Sequence, residues 1–254
     1  MNILFIGDVV GASGREKMSD VLLDLKRENS VDFTIVNGEN SAGGIGIVKK
    51  TADELFSAGA DVITLGNHTF DKKEVTEIIG DPRIVRPANY PDVVPGHGVY
   101  LKNGIAVVSL MGRFNMPLVN CPFASADMIL EKIASCGASN KIIIVDFHAE
   151  LTSEKKAMGY YLSGRVSAVV GTHTHVQTAD ERVFDSGTGY ITDVGMVGGI
   201  NSVIGMDKSK VLKRFLTGMP QRFDVDSDGI SLNALLISID GQTGKCKSVL
   251  RINK

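Results

Sequence analysis

Val166-Ser167-Ala168-Val169-Val170-Gly171-Thr172-His173-Thr174-His175 is an apolar run that ends in a glycine and then in two histidines. Its first half reads as a strand covered on both faces. The same design recurs along the chain. Residues 3–6 precede Gly7-Asp8, residues 33–36 precede Asn37-Gly38-Glu39-Asn40, and residues 62–65 precede Gly66-Asn67-His68. Residues 105–110 form another run, and residues 142–145 precede Asp146-Phe147-His148. Between these runs, residues 16–28 and 126–135 carry apolar side chains at the three- and four-residue spacing of helices. Alternating strand and helix predicts a layered α/β fold. After Ser186 the chain turns β-rich, with a hairpin turn expected at Gly241-Gln242-Thr243-Gly244 and one short helix over 208–216. That stretch predicts a second sheet packed on the first, within a single domain spanning 1–254.

Composition narrows the function classes. The 254 residues are 43% hydrophobic, enough for a sizeable core that needs no disulfide or structural metal. A formal charge of −2 gives no global attraction to a polyanion, so no DNA-binding surface is evident. The three cysteines, Cys121, Cys136 and Cys246, form no CxxC pair and read as reduced thiols. The first residues lack the basic start of a signal peptide, and no apolar run reaches the length of a membrane span. A soluble, cytoplasmic protein is expected.

Four of the five histidines, His68, His148, His173 and His175, follow a predicted strand; His97 does not. Ligands of open α/β sheets bind at the carboxyl ends of strands. Asp8, Glu39, Asn40 and Asn67 stand at the same kind of position on other strands, so distant segments are expected to meet at one edge of one sheet. Each piece is weak alone. Asp8 can be read as the N-cap of the next helix, and Glu39-Asn40 as ordinary turn polarity. His173 and His175 are the sharpest local signal, because residues i and i+2 of an extended segment point to one side. The conjunction favours a metal centre over the bland readings. Imidazole, carboxylate and amide donors suit manganese, iron or zinc, and no cysteine stands near the set. Glu39, with two carboxylate oxygens, is the natural bridge between two ions, which polarise water and clamp a phosphate.

These segments resemble the calcineurin-like metallophosphoesterase superfamily, whose blocks GD, G(D/E)N, GNH(E/D), H and GHxH run in this order. Here they stand as Gly7-Asp8, Gly38-Glu39-Asn40, Gly66-Asn67-His68, His148 and Gly171-Thr172-His173-Thr174-His175. Val10 replaces the usual first-block histidine, Glu39 replaces the bridging Asp, and one residue is added after Gly171. These departures look like the YmdB-type bacterial phosphodiesterases. The resemblance implies a β-sandwich flanked by helices in four layers, α/β/β/α. It implies one ion on Asp8, Glu39, Asn40 and His175, and a second on Glu39, Asn67, His148 and His173. Two ions per chain are expected, iron or manganese ahead of zinc or magnesium. His68 is left as the general acid, and Asp71 either orients it or caps residues 72–79. The resemblance further implies hydrolysis of small phosphodiesters, 2',3'-cyclic nucleotides above all, and a homo-oligomer.

Two rivals stay open. A phosphomonoesterase or nucleotidase would use the same ions and differ only in its pocket. A non-enzymatic nucleotide-binding regulator would have no need of a proton donor such as His68. The loops say less: Arg113-Phe114-Asn115-Met116 and Gly195-Met196-Val197-Gly198-Gly199 are candidates to line the site, and His97 reads as structural.

Overall fold

The first strand, β1 (Asn2–Ile6), divides its side chains between two apolar cores: Ile3 and Phe5 face one, Leu4 and Ile6 the other. Strand side chains alternate with period two, so a strand this apolar must be covered on both faces. The computed structural model, which describes residues 1–136 and 142–254, supplies both covers. Short β2 (Asp8–Val9) leads into α1 (Gly11–Glu28), and β3 (Phe33–Asn37) into α2 (Lys49–Ala58). β4 (Val62–Thr64) and β5 (Ile84–Val85) flank a 3-10 turn at Lys73–Glu77. Next come β6 (Val99–Lys102), β7 (Ile105–Met111), α3 (Pro122–Ser135), β8 (Ile142–His148), α4 (Thr152–Tyr161) and β9 (Ala168–Thr172). The chain continues through β10 (Arg182–Val183), β11 (Gly189–Ile191), β12 (Met196–Gly199) and α5 (Lys208–Thr217) to the hairpin β13 (Ile230–Ile239) and β14 (Cys246–Asn253).

Two sheets result. The first has the order β2-β12-β13-β1-β3-β4-β5, with β14 paired to β13; the second has the order β10-β11-β9-β8-β7-β6. Ile3, Phe5 and Leu235 of the first sheet share a core with Val107, Ile144 and Val170 of the second. Met18, Leu22 and Leu55 of α1 and α2 cover the outer face of the first sheet. Ala126, Ile133 and Met158 of α3 and α4 cover the outer face of the second. The fold is the expected four-layer α/β/β/α sandwich. No helix of the described residues is long and apolar enough to cross a membrane.

The expected origin of the second sheet was wrong. The β-rich C-terminal stretch does not build it: β13 pairs antiparallel with β1, from Asn2↔Ser238 to Ile6↔Ala234, inside the first sheet. Ala234-Leu235-Leu236-Ile237 is nearly continuous in its apolarity, and Ala234 and Leu235 fall in different cores. Such a strand is stable only at the centre of a covered sheet. The second sheet is built mainly from the middle of the chain. The helices α2 and α4, ten residues each, were not anticipated, whereas α5 and the turn between β13 and β14 lie where expected.

Candidate metal centre

The ligand-type residues gather where the two sheets meet, and both sheets contribute, not one sheet edge as expected. From the first sheet come Asp8 on β2, Glu39 and Asn40 just past β3, and Asn67 past β4. From the second come His148, the last residue of β8, and His173, directly after β9. Glycine permits the closeness: a Cβ on Gly66 would stand 2.3 Å from the His148 ring.

His148 Nε2 is the point of convergence. Asn67 Oδ1 lies 2.8 Å from it, Glu39 Oε1 2.9 Å and His173 Nδ1 3.1 Å. Glu39, His148 and His173 thus present donor atoms within 4.8 Å of one another, the spacing of a metal site. The ring orientations are fixed from behind. Thr172 Oγ1 gives its only proton to Asp146 Oδ1 at 2.6 Å, so at 2.8 Å it accepts from Nδ1–H of His148 and leaves Nε2 toward the site. Glu150 Oε2 holds His173 Nε2 at 3.1 Å, which turns Nδ1 inward. These are the outer carboxylate and hydroxyl partners that metal-binding imidazoles require.

A second group of donors sits beside the first. Asp8 Oδ1 and Asn40 Oδ1 are, among the described residues, buried oxygens without a hydrogen-bond partner. Asn40 spends its amide Nδ2 on Gly44 O at 2.9 Å, so its oxygen is the free end. His175 donates Nδ1–H to Ile204 O at 2.9 Å and presents Nε2 to Asp8 Oδ1 at 3.9 Å. An orphaned buried oxygen costs about 1–3 kcal/mol, so two together suit a site that holds a cation. The donor types and the orphaned oxygens fit divalent metal ions.

Electrostatics agree. Burial works against the charge on Glu39, yet the adjoining His148 outweighs it and holds the carboxyl down at about 2. Burial likewise opposes a charge on His148, but Glu39 lifts the ring to about 9. Burial drives Asp8 up to about 6, against the pull of His175 and His148. Burial and the neighbouring His148 push His173 down to about 3, which keeps it neutral. Without cations, His148 therefore keeps its proton at neutral pH beside the ionised Glu39.

Several local readings change. His173 and His175 are not on an extended segment: their φ values are +99° and +64°. Left-handed histidines are strained, and strain of this kind marks functional loops. The loop is held by Asp193, which accepts from Thr174 N at 3.0 Å and pairs with fully buried Lys155 at 2.6 Å. Asp8 is not a helix cap, since α1 begins after Val10 with no side-chain cap. Asp71 does not cap the 3-10 turn, whose N-cap is Lys72; its Oδ2 lies 2.7 Å from His68 Nδ1. Backbone N–H of His68 donates to Glu39 Oε2 at 3.0 Å, which ties the His68 loop to the Glu39 carboxylate. Gly195, just before β12, serves close packing: a Cβ there would lie 2.6 Å from Asn233 Oδ1. Arg113 is placed by its backbone N–H on Glu154 Oε1, and His97 contacts Gly80 O. Neither Arg113 nor the β12 glycines line the cavity at the centre.

Thr172, Asp146, Glu150 and Asp193 were missed as supports. A buried Asp146 in the middle of the apolar β8 run was the available signal. It also receives Thr64 Oγ1 at 2.5 Å and Asn37 Nδ2 at 3.3 Å, and so ties the two sheets together beneath the site.

A cavity of about 440 Å³ opens on the centre, with Glu39, Asn40, His68, His173 and His175 in its wall. The model of the family described as YmdB-like protein matches residues 4–252. The 2',3'-cyclic-nucleotide 2'-phosphodiesterase of Bacillus subtilis (strain 168) is 50% identical, the match covering 99% of this chain and 96% of that protein. The solved structure of a novel phosphatase from Mycoplasma pneumoniae has a TM-score of 0.92 at 36% identity, covering 100% of this chain and 93% of that one. The calcineurin-like phosphoesterase YfkN of Bacillus subtilis matches at a TM-score of 0.57 and 11% identity over 100% and 90% of the chains, a likeness of fold alone.

Proposed function

The chain belongs to the YmdB-like protein family, and we propose that it is a metal-dependent phosphodiesterase whose substrates are 2',3'-cyclic nucleotides. One observation carries this reading. Donor atoms from two sheets converge within 2.8–3.1 Å of His148 Nε2, beside two orphaned carboxylate and amide oxygens.

In this reading Asp8, Glu39, Asn40 and His175 hold one ion, and Glu39, Asn67, His148 and His173 hold the other. The all-N/O donor set fits iron or manganese. When bound, the ions supply an activated water and charge neutralisation for the phosphoryl oxygens. The chain's own residues do the rest. Thr172 and Glu150 fix the two imidazoles, so the donor atoms need no rearrangement to act. His68, held by Asp71, gives a proton to the ribose oxygen as its bond to phosphorus breaks; water supplies the new P–O bond. The product is a nucleoside monophosphate. Three free thiols, with Cys136 exposed, fit a reducing cytoplasm.

The test is turnover of 2',3'-cyclic AMP by purified protein loaded with manganese or iron, run beside its monoester product. Loss of the diester without further loss of the monoester supports the reading; hydrolysis of the monoester alone makes the protein a phosphomonoesterase. Glu39→Gln, which removes the bridging charge, should abolish both diester turnover and full metal content.

A further inference from the structure

The cavity over the centre has two unlike walls. One set of lining residues is the ligand-type side chains and His68; the other is Ile45 together with Met206, Arg214, Phe215 and Phe223, the last four from regions remote in sequence. Arg214 is the one Lys or Arg in that lining, and its guanidinium carbon lies 5.4 Å from the centroid of the Phe223 ring. Among the described residues no carboxylate pairs with it. Phe215 is 82% exposed, so its ring is free to meet a ligand that enters the cavity.

We infer that this wall is a nucleobase subsite, in which Phe223 and Phe215 stack the base of the substrate and Arg214 caps its edge. The inference rests on the phosphodiesterase reading and deepens it. The charge of a cyclic nucleotide is taken at the metal side, so the remaining part to be housed is the ribose and a flat, weakly polar base. Bases stack on aromatic rings and on guanidinium planes, and such stacking tolerates any base because each has a π-face. The far wall offers no amide or carboxylate to read a base edge. Arg214 is the one side chain of that set that can donate hydrogen bonds, so a base edge meets a single donor group. At about 440 Å³ the cavity is of small-ligand size, ample for one nucleotide. Discrimination among bases is therefore weak, whereas the presence of a base counts strongly.

The experiment compares kcat/KM for 2',3'-cyclic AMP with that for ethylene glycol cyclic phosphate, which has the same reacting ring and no base. Phe223→Leu keeps apolar volume but removes the π-face; Phe223→Tyr keeps the π-face. For Phe223→Leu the nucleotide-to-base-free ratio should fall roughly 10- to 100-fold, mainly through KM, the range that stacking supplies. Phe223→Tyr should keep the wild-type ratio. Phe215→Leu, at an exposed position with no core role, repeats the test should Phe223→Leu fail to fold. An unchanged ratio in the Leu variants, or a Tyr variant as poor as Leu, overturns the subsite. Wild-type protein that turns over neither substrate overturns the phosphodiesterase reading instead, so the two failures are told apart.

Discussion

His68 Nδ1 stands 2.7 Å from Asp71 Oδ2, three residues along the same loop, and the imidazole lines the same cavity as Glu39, Asn40, His173 and His175. The pair has the geometry of a proton donor with a carboxylate that fixes its orientation. His68→Ala should therefore keep its metals and slow turnover of cyclic nucleotides by about 10²–10⁴-fold. The loss should shrink on an aryl phosphodiester, whose leaving group needs little protonation. Asp71→Asn should lower kcat less than His68→Ala and leave KM nearly unchanged. Equal losses on both substrates, or a missing metal equivalent in His68→Ala, would make His68 a ligand.

His173 and His175 face different partners, His148 and Asp8, although only one residue separates them. His173→Ala and His175→Ala should each lose about one metal equivalent, but from different sites. Titration of stripped protein with manganese reads this as different surviving affinities. The same surviving site in both variants would show that the two histidines share an ion.

Thr172 links His148 Nδ1 to the buried carboxylate of Asp146. Thr172→Val preserves shape and removes both hydrogen bonds. Metal affinity should fall about 10- to 100-fold, the usual effect of losing such a support. Secondary structure by circular dichroism should stay intact. Unchanged affinity would mean that His148 is oriented by packing alone.

The metal-free site should respond to pH in a defined sense. Burial raises Asp8 from 3.8 to about 6, and Glu39 outweighs burial to raise His148 from 6.5 to about 9. Both groups bind their protons more tightly in the folded than in the unfolded chain. Their contribution to stability is thus present at low pH and is lost as pH rises, first between about 3.8 and 6, then between about 6.5 and 9. Glu39, depressed from 4.5 to about 2, acts in the opposite sense and only below 4.5. Chelator-treated protein should accordingly show a falling Tm from pH 6.5 to 9, and metal addition near neutral pH should release protons. A Tm that rises over that range in the stripped protein would contradict the protonated His148–Glu39 pair.

The strands of residues 1–172 and the place of the candidate donors at their ends were legible because both are local. An apolar run of four to seven residues declares a strand, and the polar residue at its end declares what that strand presents. This holds for Asp8, Glu39, Asn40, Asn67, His148 and His173, each lying at or just beyond a strand. The left-handed backbone of His173 and His175 was not legible, because β9 ends at Thr172 and the loop's conformation is imposed by Asp193, eighteen or more residues away. Tertiary structure also assigned the strands to sheets. Nothing in Ala234-Leu235-Leu236-Ile237 says that its neighbour is β1, more than two hundred residues distant, since an apolar strand satisfies any covered position. The same holds for the cavity wall: Phe215 and Phe223 read as ordinary apolar residues until packing sets them beside Glu39 and His68. The sequence by itself therefore determined the chemistry of the donors and the alternation that makes a layered fold. Only the tertiary structure decided which donors meet across two sheets and what faces them, because those contacts depend on long-range packing that no short stretch encodes.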